Sequence, residues 1–148
     1  MRGAMEGRLG AVALVAFCLW LTGCGTTEAD TNLQGGEEVP PVTTSAEGNA
    51  KAELDGDALT VTGSFAGLSS DLQPVAGSPA HVHSAPRGQN GGIVFNLEVT
   101  STDSRSGTFR GSKTLSDAEK EAFENGDFYV NVHTTNFPSG ELRGQFEP

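Results

Sequence analysis

The chain is poor in cysteine and in basic residues. Its two cysteines, Cys18 and Cys24, both lie near the N-terminus, so the rest of the sequence can form no disulfide and no thiolate site. Lysine and arginine together number 9 against 19 acidic residues, which gives a net charge of −10. No arginine-rich run or basic patch is present, and we therefore expect no nucleic-acid partner.

Motifs of common enzyme classes are also missing. The sequence has no Gly-x-Ser-x-Gly turn, no phosphate-binding loop ending in Gly-Lys-Ser or Gly-Lys-Thr, and no cysteine after position 24. We therefore expect that the chain is not an enzyme. A catalytic triad assembled from distant residues stays open as the alternative.

The N-terminal residues have the pattern of an export signal. A basic start precedes the uncharged, mostly apolar run Leu9–Trp20, which fits a secretory signal and is too short to span a bilayer as a helix. Leu21-Thr22-Gly23-Cys24 then resembles the lipobox of bacterial lipoproteins, in which the cysteine is lipidated and becomes the new N-terminus. We expect a signal peptide over 1–23 and a lipid on Cys24. The alternative is an ordinary signal peptide that ends near a cysteine.

Residues 24–32 are small and polar and predict a flexible tether, followed by a single domain over 33–148. The lipid would hold the protein to a membrane of the cell envelope. Since no aspartate follows Cys24 directly, we expect the outer membrane or cell surface rather than the inner membrane.

Short alternating segments predict an all-β domain. Ala50–Asp55 and Leu59–Phe65 alternate apolar and polar residues around a Gly-Asp turn, which predicts a hairpin with one buried face. Ser116-Asp117-Ala118-Glu119 matches a capping box, so one short helix is expected to about Asn125. Further strands are predicted at 80–83, 93–100, 107–115, 128–133 and 141–146. A total of about seven or eight strands favours an antiparallel β-sandwich or Greek-key barrel.

The three histidines of the chain fall in two of these predicted strands. His81 and His83 lie two positions apart, and His133 ends the run Tyr129-Val130-Asn131-Val132-His133. Because side chains alternate along a strand, His81 and His83 share one face. For the same reason Tyr129, Asn131 and His133 share one face of the later strand.

The last two predicted strands fit one antiparallel register. Pairing 128–133 with 141–146 can place all their polar side chains on a single face, whereas a shift of one residue would put polar groups in the core. The opposed pairs are His133 with Glu141, Asn131 with Arg143, and Tyr129 with Gln145.

This polar face has two interpretations. Imidazoles at i and i+2 converge well enough to ligate one ion, neutral imidazole suits copper or zinc, and His133 would add a third nitrogen. Glu141 would then be a fourth ligand or would orient an imidazole. In the other interpretation the histidines are structural and hydrogen-bond to neighbouring polar groups. The face is then stiffened by a polar network of Tyr129, Asn131, Arg143 and Gln145, with Glu141 paired to Arg143.

Five blocks of the sequence resemble, in order, those of CHRD domains, a module named for chordin. They are Glu38-Val39-Pro40-Pro41-Val42, Ala80-His81-Val82-His83, Gln89-Asn90-Gly91-Gly92-Ile93-Val94, Tyr129-Val130-Asn131-Val132-His133-Thr134 and Pro138-Ser139-Gly140-Glu141-Leu142-Arg143-Gly144-Gln145. The resemblance covers residues 33–148 and implies an extracytoplasmic, β-rich module. It implies no particular activity.

Two functional hypotheses follow. In the first, the chain is a non-enzymatic, lipid-anchored module of the cell envelope that binds an envelope or extracellular protein or supports the surface layer. In the second, it is a small envelope protein that binds copper or zinc through His81, His83 and His133, with Glu141 in support.

Overall fold

The computed structural model describes residues 25–148, and the signal peptide predicted over 1–23 and the predicted lipidation site Cys24 lie outside the described residues. Within this range the chain forms nine strands, one α-helix and one short 3₁₀-helix. The expected all-β architecture with one short helix is confirmed. The strands are β1 (Thr27–Gln34), β2 (Glu47–Asp55), β3 (Ala58–Ala66), β4 (Ala80–Ser84), β5 (Gly92–Asn96), β6 (Glu98–Ser101), β7 (Gly107–Thr114), β8 (Phe128–Val132) and β9 (Leu142–Gln145); the α-helix is α1 (Asp117–Glu124) and the 3₁₀-helix spans Gly35–Glu37.

The nine strands of this region belong to one antiparallel sheet with the order β5–β4–β8–β9–β1–β2–β3–β7–β6. Its two edge strands, β5 and β6, are separated in the chain only by Leu97, so the edges come together and nearly close the sheet into a barrel. The Leu97 N–H donates to the carbonyl of Ala80 (3.0 Å), and its side chain is buried in the core. The single strand predicted over 93–100 is therefore two strands that part at Leu97.

β2 and β3 form the predicted hairpin. Ala52 lies opposite Val61 and Leu54 opposite Leu59, and all four side chains are buried. Gly56 in the turn has φ +59°, a conformation that glycine adopts without steric cost. Burying each large apolar side chain contributes roughly 1.5–3 kcal/mol relative to leaving it exposed, so this hairpin supplies one wall of the core.

The helix and the last two strands follow their sequence patterns. Ser116 caps α1 in a reciprocal capping box with Glu119, as predicted, and satisfies backbone N–H groups that the first helical turn leaves free. β8 and β9 pair Asn131 with Arg143 and Tyr129 with Gln145, which confirms the predicted register.

The tether predicted over 24–32 is wrong for most of its length. Thr27–Gln34 is strand β1, which pairs residue by residue with β2 and contacts β9 at Arg143. Ala29 and Leu33 are buried on its inner side, and the polar residues between them hid this alternation in the sequence. Backbone hydrogen bonds to β2 hold most of this strand in the sheet. The amino-acid composition of a segment does not predict such bonds. The folded domain therefore begins before residue 33.

Four connecting segments lie against the polar side of β4, β8 and β9. They are residues 38–46, 67–79, 85–91 and 133–141, and each makes at least one hydrogen bond to a side chain of that face or to another of these segments. The polar face is consequently buried. No helix in residues 25–148 has the length and apolar character needed to cross a membrane.

Candidate metal site

The sheet brings the three histidines to one side of β4 and β8. His81 lies opposite Asn131 and His83 opposite Tyr129, and His133 directly follows β8. Val82 and its neighbours on β8 project to the other side, into the hydrophobic core. The exposed fractions of the histidines are 0% for His81, 9% for His83 and 4% for His133. The predicted shared face is confirmed, and it is shielded from solvent.

Each imidazole directs one ring nitrogen at a backbone carbonyl. The pairs are His81 Nε2 with Val75 O (2.7 Å), His83 Nδ1 with Gly91 O (3.0 Å) and His133 Nδ1 with Pro138 O (2.9 Å). A carbonyl oxygen can only accept, so these three nitrogens carry the hydrogens and donate. The tautomer of each neutral ring is thereby set by the loop that lies against it.

The remaining ring nitrogens of the neutral histidines carry lone pairs, and they converge. His81 Nδ1 lies 3.0 Å from His133 Nε2, and His83 Nε2 is buried with no hydrogen-bond partner among the described residues. One nitrogen from each ring lies within 4.8 Å of the other two. Two nitrogens bound to one ion at about 2.0–2.1 Å would be roughly 3.3–3.5 Å apart. To hold one ion, the 3.0 Å pair would open slightly and a pair separated by as much as 4.8 Å would close by up to about 1.5 Å.

Burial keeps these imidazoles neutral. It lowers the pKa of all three histidines, and the pKa of His133 falls to about 4 through burial and the neighbouring His81. The neutral form is the one that binds metals. A proton shared between His81 and His133 would also fill their 3.0 Å contact, but the lowered pKa values disfavour that proton at neutral pH.

Tyr129 and Gly91 hold His83 in position. The rings of His83 and Tyr129 are stacked, with centroids 4.9 Å apart and an interplanar angle of 8°. The Tyr129 hydroxyl accepts from the Gly91 N–H (3.0 Å), and the carbonyl of the same glycine accepts from His83. Any side chain at position 91 would collide with the carbonyl of Ser84, so this close approach requires glycine.

Glu141 is not brought into the histidine group. Its two carboxylate oxygens accept four hydrogen bonds instead, from Thr44 Oγ1 (2.7 Å), Ser69 N (2.9 Å), Ser69 Oγ (3.0 Å) and Thr134 Oγ1 (2.8 Å). Burial alone would raise the pKa of Glu141, but these hydrogen bonds outweigh it and hold the pKa below its usual value. The ionised carboxylate therefore ties two loops to the sheet, a different role from the ligand or orienting group predicted.

Arg143 contacts Tyr129 and Gln145, as the predicted polar network requires, whereas Glu141 has other hydrogen-bond partners. Its guanidinium is 1% exposed and lies 3.6 Å above the centre of the Tyr129 ring. It donates to Asn90 Oδ1 (3.1 Å), Gln89 O (2.8 Å) and Gln145 Oε1 (3.2 Å). Asn131 donates a long hydrogen bond from Nδ2 to Ser139 O (3.4 Å) and lies close enough to His83 to raise its pKa, while its Oδ1 has no partner within hydrogen-bond distance in residues 25–148.

Glu38 is a buried carboxyl that no sequence pattern singled out. It is 5% exposed, and its Oε1 has no hydrogen-bond partner in the described part of the chain. Burial raises the pKa of Glu38 to about 7, although the charge of Arg143 and the Val39 N–H pull it down. An acidic residue in a polar, proline-containing segment normally predicts a solvated loop. The only hint is its inclusion in the first of the five family-like blocks.

Comparison with known proteins gives a family and no individual relative. Neither the curated proteins nor the solved structures contain a match to this chain. The family model for the CHRD domain matches residues 29–146, which include every strand except the first two residues of β1 and all of the histidine site. The match begins inside β1, in agreement with the corrected domain start, and the chain belongs to the CHRD domain family.

Proposed function

We propose that this chain is a non-enzymatic, exported CHRD module of the cell envelope that binds one copper or zinc ion. The proposed ligands are His81 Nδ1, His83 Nε2 and His133 Nε2. One observation carries the proposal: each imidazole donates its only N–H to a backbone carbonyl, and the three buried rings lie so close that one nitrogen of each is within 4.8 Å of the other two.

A metal ion accounts for these lone pairs better than a structural role does. Buried polar groups in proteins are normally hydrogen-bonded, and a structural histidine is expected to use both ring nitrogens. Here His81 and His133 face each other through nitrogens that both lack a hydrogen, and His83 Nε2 has no partner among residues 25–148. A shared proton would satisfy two of the three nitrogens, whereas one ion would satisfy all three.

Titration with metal tests the proposal directly. Residues 25–148 contain all nine of the described strands and the hydrophobic core that they enclose, so this segment is used without the lipid. It is purified without chelator, analysed for metal, and titrated with Cu(I), Cu(II) and Zn(II) by calorimetry. We expect one equivalent bound with sub-micromolar affinity. His81→Ala and His133→Ala should each weaken binding roughly 100-fold or more, because each removes a ligand.

Glu98→Gln is the matched control, since Glu98 is an exposed carboxylate on β6. It should leave the affinity unchanged, and thermal unfolding should show that each histidine variant is still folded. Stoichiometric binding that persists when all three histidines are replaced by alanine would contradict the proposal. Absence of binding in the unsubstituted protein would leave the alternative, a structural or protein-binding module of the envelope.

The envelope location is proposed from the leader. The apolar run Leu9–Trp20 and the lipobox-like Leu21-Thr22-Gly23-Cys24 support export and lipidation. Since β1 begins at Thr27, only Gly25 and Thr26 would separate the lipidated cysteine from the sheet. Cys24→Ala should move the full chain from the membrane fraction to the soluble extracytoplasmic fraction. An unsubstituted chain that is already soluble would contradict lipid anchoring while leaving the metal site untouched.

A further inference from the structure

The ligand set of the histidine site carries no negative charge. Each imidazole donates the hydrogen of one ring nitrogen to a backbone carbonyl, and no carboxylate belongs to the group of ligand atoms in the described region. Glu141, the carboxylate predicted to join them, is surrounded by four other donors. An ion bound by these three nitrogens would therefore keep its full charge in a buried site.

A fixed positive charge acts on the same site. The Arg143 guanidinium lies against the Tyr129 ring, and the Tyr129 ring in turn stacks on the imidazole of His83. Three hydrogen bonds and near-complete burial hold the guanidinium where it is, so it cannot turn away when an ion binds.

Glu38 is the carboxyl placed to offset that charge, and it does so incompletely. It lies close enough to Arg143 for their attraction to affect its pKa. Its own burial opposes ionisation more strongly than Arg143 favours it. The positive charge of Arg143, which opposes a cation bound at the histidines, is thus only partly offset by Glu38.

These features discriminate between monovalent and divalent ions. The cost of burying an ion rises with the square of its charge, so a dication costs about four times as much as a monocation of the same size. Repulsion from Arg143 is also doubled for a dication. Zinc sites with three histidines add a water as fourth ligand, and this cluster is at most 9% exposed. Cu(I) is stable with three ligands and imidazole suits it.

We infer that the histidine site selects Cu(I) over Zn(II) and Cu(II), because a buried, uncharged three-nitrogen set beside a fixed arginine accommodates one positive charge better than two. The inference rests on the proposed function, since it concerns the same three ligands. To the proposed copper or zinc site it adds the oxidation state of the bound copper and the physical cause of the selectivity.

The test compares affinities for the two ions in one buffer at neutral pH. Cu(I) is measured without oxygen by competition with a chromophoric Cu(I) chelator, and Zn(II) by calorimetry. We expect Cu(I) to bind at least about 100-fold more tightly than Zn(II). Arg143→Met removes the charge and should reduce the ratio about tenfold by strengthening Zn(II) binding, whereas Arg143→Lys keeps the charge and should preserve the ratio.

The outcomes separate this inference from the function on which it rests. Histidine-dependent Zn(II) binding within tenfold of Cu(I) would overturn the selectivity and leave the metal site standing. Binding of neither ion would overturn both. If Arg143→Met does not fold, the ratio measured on the unsubstituted protein still decides, and Glu38→Gln provides a second variant that should weaken Zn(II) more than Cu(I).

Discussion

Two parts of the same sheet use one side-chain alternation in different surroundings. In the hairpin β2–β3 the apolar side chains on the inner face are buried, and most polar side chains reach solvent. In β4, β8 and β9 nearly every residue is buried, on both faces of the sheet. The second part differs because loops lie on its outer face, where polar residues form a separate interior. Alternation thus predicts which side chains share a face, and the loops decide whether that face meets water.

The largest contrast should come from removing one glutamate in each part. Glu141→Ala leaves four donors on Thr44, Ser69 and Thr134 without their acceptor, and we expect a loss of about 3–5 kcal/mol in the free energy of unfolding. Glu53→Ala on β2 removes only an exposed partner of Lys51 and should change the urea midpoint little. Similar urea midpoints for the two variants would show that the buried hydrogen bonds of Glu141 contribute no more to stability than an exposed ion pair.

Glu38→Gln should sharpen the comparison through pH. The folded-state pKa of about 7 is above the ordinary glutamate value of 4.5, so between these pH values the folded protein holds a proton that the unfolded chain has lost. The stability linked to this group is full below pH 4.5 and is lost as pH rises through 7. The glutamine variant should therefore be more stable than the parent above pH 7, by roughly 3 kcal/mol, and equal to it near pH 4. A stability difference that does not change with pH would contradict this.

The histidines should give a pH effect of the opposite sign. The pKa of His133 is about 4 in the fold, below the ordinary histidine value of 6.5, so the unfolded chain takes up the proton first as pH falls. Metal-free protein should keep this stability above pH 6.5 and lose up to roughly 3 kcal/mol as pH falls toward 4. NMR titration of the imidazole C–H signals measures the pKa directly. A midpoint near 6.5 for His133 would contradict its burial in a neutral form.

Tyr129→Phe should have the smallest effect. It keeps the stack on His83 and removes only the hydroxyl that accepts from Gly91, at a cost of about 1 kcal/mol in unfolding free energy. Because the same peptide unit orients His83, metal affinity should fall about tenfold. Thr60→Val, at an exposed position on β3, is the control and should change neither quantity. Unchanged metal affinity in Tyr129→Phe would show that the stack alone positions the imidazole.

Local patterns predicted the parts of the fold that depend on neighbouring residues. The β2–β3 hairpin, the capping box at Ser116 and the β8–β9 register all follow from short-range alternation or turn chemistry. Strand β1 is not predicted because its segment is mostly polar. It is held in the sheet by pairing with β2, and backbone pairing leaves little trace in the composition of the paired segment. The break at Leu97 was missed because it follows from closure of the whole sheet.

For the candidate site, side-chain alternation along each strand is enough to predict that His81, His83 and His133 share a face, since it is a local property of the chain. Folding adds the rest: loops bury this face, three carbonyls orient the imidazoles, Glu141 is held by other donors, and Glu38 lies in the interior. Those contacts join segments far apart in the chain. Their formation depends on which strands become neighbours and where the connecting loops then lie, and no local pattern encodes either.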